Sequence, residues 1–157
     1  MTPVTPCLWF DGTADEAVDF YLSIFPDSKR LSGSDYSEDS PGEPGSTMAV
    51  SFELSGTPFL ALNGGPMFKF TPAVSFIVNV EDQAELDHYW DALLKGGEPS
   101  QCGWLTDRFG VSWQVVPTRL GELMSDPDPA RANRTMQAML QMVKLDIAEL
   151  EAAADGR

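Results

Sequence analysis

The sequence predicts an α+β fold: two βαβββ modules in tandem, followed by a C-terminal helix. Three observations carry this. A short apolar strand leading into an amphipathic helix occurs twice. An offset of 70 residues superposes the two copies, placing Leu8 on Val78, Phe10 on Val80 and Phe20 on Trp90. After Pro117 the alternating pattern gives way to helical spacing. Few residue identities are shared between the copies, so spacing carries the repeat.

Cys7-Leu8-Trp9-Phe10 is short, apolar and closed by Asp11-Gly12, which reads as a strand ending in a turn. Thr13 to Glu16 has the form of a capping box. Ala14, Ala17, Val18, Tyr21, Leu22 and Phe25 follow at helical spacing until Pro26-Asp27. Lys29 to Tyr36 reads as a strand, and Ser37 to Ser46, with two Pro and two Gly, as a mobile loop. Thr47 to Leu54 and Pro58 to Asn63 form a hairpin around Ser55-Gly56-Thr57.

The order then recurs. Ala73 to Val80 is a strand, and Asp82 caps a helix whose buried face is Leu86, Trp90, Leu93 and Leu94. Gly96-Gly97 ends that helix, and short strands follow around Cys102 to Thr106 and Val111 to Val116. The modules span 3–65 and 71–117, and 118–157 is a helical extension within one domain of 1–157. In that extension Arg119 to Met124 is a short helix and Asp126 to Pro129 a second helix start. Met136, Met139, Leu140, Val143, Ile147 and Leu150 then make an apolar stripe, read as core or as a subunit contact.

Composition narrows function. In 157 residues, 24 acids against 10 bases give a net charge of −14. That argues against a nucleic-acid partner and against an anionic membrane surface, both of which need clustered Lys and Arg. No apolar run approaches the ~20 residues of a membrane span, and no signal segment is visible at the N-terminus. Two distant cysteines, Cys7 and Cys102, are no disulfide framework, so the expected location is cytoplasmic. A single histidine, His88, excludes multi-histidine metal sites within the chain.

Strand parity separates two faces. Leu8, Phe10, Val78 and Val80 are placed under the helices, with Val50, Phe52, Leu54, Val111, Trp113 and Val115. The opposite, mixed face is assigned Thr5, Cys7, Trp9, Ser75, Ile77, Asn79, Ser51 and Glu53, joined by Phe59, Ala61, Asn63, Ser112, Gln114 and Val116. A face that is mixed, with one carboxylate, and not densely charged suits a pocket for a small organic molecule. Glu53, a lone carboxylate there, is the general-base candidate. Trp9, Phe59 and Trp104 are candidate aromatic walls.

Leu8-Trp9-Phe10-Asp11-Gly12, Leu62-Asn63-Gly64-Gly65-Pro66, Phe68-Lys69-Phe70, Ala73-Val74-Ser75-Phe76 and Cys102-Gly103-Trp104-Leu105-Thr106-Asp107 resemble the PhnB-like, or demethylubiquinone methyltransferase-like, family. So do Phe109 to Pro117 and Met136-Gln137-Ala138-Met139-Leu140. That family belongs to the glyoxalase/bleomycin-resistance/dioxygenase (vicinal oxygen chelate) superfamily. The resemblance implies curled mixed sheets around a cavity and a homodimer. It also implies metal-ligand positions on equivalent strands, which fall here on Thr5 (or Pro6 if the helix is the ruler, the repeat offset favouring Thr5), Ser75, Gln114 and near Ala61, with Asn63 two residues on. None is His or a carboxylate, so the expectation is no metal and no cofactor, with Thr5, Trp9, Phe59, Asn63, Ser75, Trp104 and Gln114 as ligand-binding residues. Three functions follow as alternatives: a metal-independent enzyme on a small organic molecule, a ligand-sequestering protein of the bleomycin-resistance type, or the methyltransferase of the family label. The last requires a nucleotide cradle, and Gly64-Gly65-Pro66 lacks the following helix.

Overall fold

A computed structural model describes residues 2–157. The chain divides into two compact units, one running to Phe70 and one from Thr71 to Arg157. The first contains β1 (Cys7–Phe10), α1 (Ala14–Ile24), β2 (Lys29–Asp35), β3 (Thr47–Leu54) and β4 (Thr57–Asn63), in sheet order β1-β4-β3-β2. The second contains β5 (Ser75–Val80), α2 (Gln83–Leu94), β6 (Glu98–Pro99), β7 (Trp104–Thr106) and β8 (Ser112–Pro117), in order β5-β8-β7-β6. In each sheet the first strand runs parallel to the last, and the remaining pairs are antiparallel. The two sheets thus share one topology, as the tandem βαβββ reading requires. The two-residue edge strand β6 has no counterpart in the sequence reading; Glu98-Pro99 is too short to alternate visibly.

Each helix covers one sheet face. Ala14, Ala17, Val18, Tyr21 and Ile24 of α1 are buried, packing on β3 and β4. Leu8, Phe10, Val50 and Phe52 meet them from the sheet side and are themselves buried. Leu86, Trp90 and Leu93 of α2 pack against β8, where Trp113 and Val115 are buried. A large side chain so enclosed contributes roughly 1.5–3 kcal/mol of transfer free energy, which is why the helices settle on these faces.

The helix starts differ from one another. Asp82 caps α2 by accepting from the Glu85 amide at 2.9 Å, while Glu85 accepts from the Glu81 amide at 2.7 Å. The capping box expected at Thr13 does not form: Thr13 makes no side-chain cap. Asn63, arriving from the end of β4, accepts from the Ala14 amide at 2.9 Å instead. A tertiary side chain has taken the place of the local one.

The segment from 37 to 46 is closed at its base. Tyr36 N donates to Ser46 O at 2.8 Å and Gly45 N to Tyr36 O at 2.9 Å. The C-terminal stripe is not one helix. It is divided between α4 (Pro129–Met139) and α5 (Ile147–Ala154), after a short α3 (Thr118–Met124). Between α4 and α5, Met142 and Leu145 are buried while Leu140 and Val143 stay exposed. Among the described residues no helix is long and apolar enough to cross a membrane.

Candidate ligand site

The turn between β3 and β4 decides which first-unit side chains are available. Leu54 pairs with Thr57, Phe52 with Phe59 and Val50 with Ala61. The loop is therefore two residues, Ser55 and Gly56, both at positive φ (47° and 83°), as a type I′ hairpin demands. The sequence reading allowed three. That single residue exchanges the faces of β4. Phe59 stacks on Phe52 at 5.4 Å and is buried under α1, and Ala61 is buried beside Val50. Placing Phe59, Ala61 and Asn63 on the open face is thus corrected: that face receives Pro58, Leu60 and Leu62. Asn63 is tied to Ala14 N and donates to Thr47 O at 3.0 Å.

Cys7 and Trp9 do lie on the face away from α1, paired in register with Leu60 and Leu62. The Trp9 indole donates to Gly65 O at 2.8 Å, and its ring meets Phe68 edge-on at 5.0 Å. A Cβ at Gly64 would lie 2.3 Å from the Trp9 ring, so the glycine pair serves as the seat of this indole. Desolvation pushes the Cys7 thiol above the ordinary thiol range, which disfavours the thiolate. Glu53 sits at the hairpin end of β3, 3.6 Å from Lys29. Thr5 lies ahead of β1 and is exposed. A cleft of about 520 Å³ opens at the β1–α1 turn, bordered by Asp11, Asp15, Tyr36, Glu43 and Asn63. Thr47, first, and Arg30 hold the Asp15 carboxyl below the usual range; Arg30 bridges Asp15 and Asp19, each at 2.8 Å.

The second unit gathers three of the predicted residues. The Gln114 Nε2 donates to Ser75 Oγ at 2.9 Å. Trp104 pairs directly with Gln114 across β7 and β8, so the two share a face. Ile77 pairs with Gln114 from the other side and is exposed, as is Asn79. A second cross-strand row, Glu98, Thr106, Ser112 and Ser75, follows from the register of all four strands. Sequence reasoning missed Thr106, which shares the face of Trp104 on β7, and Glu98, whose two-residue strand β6 was not foreseen. In the repeat, Leu60 is the counterpart of Gln114, since Cys7 pairs with Leu60 as Ile77 pairs with Gln114.

This face is held in place from behind. Asp107, 3% exposed, accepts from Phe109 N at 2.8 Å, Val111 N at 3.1 Å and the Trp113 indole at 2.8 Å. One carboxylate thereby fixes the β7–β8 turn and the start of β8. His88 is exposed on α2, edge-on to Tyr89. Among the described residues no group of three or more His, Cys, Asp or Glu side chains is gathered as for a metal ion.

A family model described as 3-demethylubiquinone-9 3-methyltransferase matches residues 2–116. A solved structure described as a putative 3-demethylubiquinone-9 3-methyltransferase, PhnB protein, from Bacillus cereus is 34% identical, with a TM-score of 0.68, covering 74% of this chain and 99% of its own. The fosfomycin resistance protein FosX of Listeria monocytogenes, solved with Mn(II) and sulfate, is 14% identical with a TM-score of 0.55, covering 73% of this chain and 89% of its own. A glyoxylase/bleomycin resistance protein/dioxygenase domain from Frankia is 16% identical with a TM-score of 0.50, covering 74% and 92%. The last two are likenesses of fold alone. A search of curated proteins finds no match.

Proposed function

Because the chain belongs to the 3-demethylubiquinone-9 3-methyltransferase (PhnB-like) family, with the glyoxalase fold, we propose that it binds a small neutral organic molecule on the open face of its second sheet, without a divalent metal. The carrying observation is the Gln114–Ser75 pair at 2.9 Å beside Trp104. An amide and a hydroxyl offer both donors and acceptors to a hydroxyl or carbonyl oxygen, and the indole offers an apolar wall.

The donor chemistry supports the metal-independent part. The positions implied by the resemblance carry Thr5, Ser75 and Gln114, with the remaining one near Ala61 or, by strand register, at Leu60; none is charged or imidazole, which is a poor set for a divalent cation. S-adenosylmethionine, which the family's descriptive name implies, also fits poorly. Gly64 and Gly65 are used to seat Trp9 and are followed by an irregular segment rather than a helix. Binding is favoured over catalysis by the ionisable groups: Glu53 is paired with Lys29, and among the described strand residues of the Gln114 face the one carboxylate is Glu98, at the exposed edge. Two further parts of the proposal are a cytoplasmic setting, in keeping with two free cysteines, and a homodimer, in keeping with exposed Met67, Phe68, Ile77, Leu140 and Val143.

A panel of small neutral hydroxy and oxo compounds, titrated while amide and indole resonances are followed, tests the site. Binders should move the Gln114 side-chain amide and the Trp104 indole, and Gln114→Ala, which removes the first reporter, should abolish the Trp104 shift. Binders that move neither resonance would overturn the assignment. Elemental analysis tests the other part: a stoichiometric transition metal that survives dialysis would refute it. Sedimentation at micromolar concentration should show a dimer; a species that stays near 17.1 kDa on concentrating would refute that.

A further inference from the structure

Residues 117–157 lie outside the family match, and the Bacillus cereus relative is covered over 99% of its length by 74% of this chain. The extension is nevertheless built into the second unit. The stretch between α4 and α5 runs against the turn that leads into β7. Cys102 N donates to Met142 O at 2.8 Å, and Gly103 N to Val143 O at 2.7 Å. Gly103 in turn accepts from Val115 N at 2.9 Å, and Trp104 N is bonded to Gln101 O at 3.1 Å. Leu145, fully buried, rests where a Cβ on Gly103 would come within 3.0 Å of it, and Gly103 has φ +85°. The far side is anchored to α2. The Gln83 amide donates to Leu145 O at 3.2 Å and accepts from Ile147 N at 2.9 Å, and Lys144 meets Asp87 at 2.8 Å.

We propose that Met142 to Leu145 is a positioning strap: it clamps the Cys102–Gly103 turn and so sets where Trp104 stands beside Gln114. In this chain the shape of the ligand face is therefore determined in part by residues outside the matched family region. The reason is geometric. Gly103 is bonded to the strap through its N–H and to β8 through its carbonyl, one residue before Trp104, so a displaced strap displaces the turn and the indole with it. A backbone clamp of this kind acts on position and leaves the donors of Ser75 and Gln114 unaltered.

The inference rests on the proposed ligand face, and its test needs no ligand. Amide exchange is read residue by residue in the free, full-length protein, together with the Trp104 indole resonance, identified by Trp104→Phe. Leu145→Ala is expected to raise exchange at Cys102, Gly103 and Val115 at least tenfold more than at Val111, whose amide Asp107 holds, and to shift the Trp104 indole. Leu145→Met should restore both. Gln83→Ala removes the anchor without opening the core, should give the same pattern at smaller amplitude, and decides the matter if Leu145→Ala does not fold. An equal rise at Val111, or unchanged exchange at Cys102 and Gly103 in a folded variant, would overturn the strap. A panel without binders at Gln114, with the exchange pattern intact, would overturn the ligand reading alone.

Discussion

Replacing Asp107 with alanine removes the acceptor for Phe109 N, Val111 N and the Trp113 indole. The cost follows from where those donors lie. The Val111 and Trp113 bonds are buried, so neither donor regains water, whereas Phe109 N is only partly buried and rehydrates. A buried donor left unsatisfied costs about 1–3 kcal/mol, and bonds to a charged acceptor lie at the upper end. Two such donors give a loss of about 3–5 kcal/mol, a large part of the ~5–15 kcal/mol that a domain has. Asparagine keeps one oxygen for Phe109 and Val111 but turns an NH₂ toward the Trp113 indole, donor against donor. Its loss should be about half that of alanine. Urea unfolding followed by tryptophan fluorescence measures both. The decisive form is a cycle with Trp113→Phe, which deletes the opposed donor: the Asp107→Asn cost should then fall by about 1–2 kcal/mol. Additivity within ~0.5 kcal/mol would refute the claim that this carboxylate is the organising acceptor of the turn.

Gly64→Ala should unseat Trp9, because the new methyl falls 2.3 Å from its ring; the check is loss of protection of the Trp9 indole proton, and an unchanged indole resonance would count against the seat. Asn63→Ala should cost about 1–2 kcal/mol, since it leaves Ala14 N uncapped and Thr47 O without its partner, while Thr13→Ala should be nearly neutral; equal losses would mean that the local cap is in use. The carboxyl of Asp15 is depressed in the folded state, first by Thr47 and then by Arg30, so its contribution is present above the unfolded value near 3.9 and is lost as pH falls below it. Arg30→Gln should therefore flatten the acid limb of stability below about pH 4, and an unaltered limb would show that the pair contributes nothing.

Much of the fold was legible because period and punctuation agreed. Leu8 and Phe10, then Val78 and Val80, each precede a capped amphipathic run, and a topology written twice in one chain confirms itself. The shared placement of Ser75 and Gln114 on one face of the second sheet was legible because their strands are short and unambiguous. Phe59 and Asn63 were misassigned by one residue of turn length: Ser55-Gly56 was read with Thr57 as a three-residue loop, and alternation propagates such an error along the whole strand. Thr13 and Glu16 satisfied a local rule, yet Asn63, 49 positions on from Ala14, reached the helix end first. The break between α4 and α5 was hidden because Met139, Leu140, Val143 and Ile147 keep helical spacing across it, although the buried residues there are Met142 and Leu145 and not Leu140 and Val143.

The base pairing between Tyr36 and Ser46 has a consequence for how this scaffold varies. A closed neck separates the tip of that loop from the sheet, so residues other than Gly42, whose Cβ would fall 2.2 Å from the Tyr36 ring, can be added or exchanged at the tip without altering register, and each doubling of its length costs only about 0.6 kcal/mol. The same tip supplies Pro41, Gly42 and Glu43 to the cleft beside Asp11. The cleft can therefore be rewritten by grafting a different tip, whereas one residue inserted at Ser55-Gly56 would turn the strand inside out. Two loops of one sheet thus differ in kind: one is an exchangeable cassette, the other a fixed hinge of register.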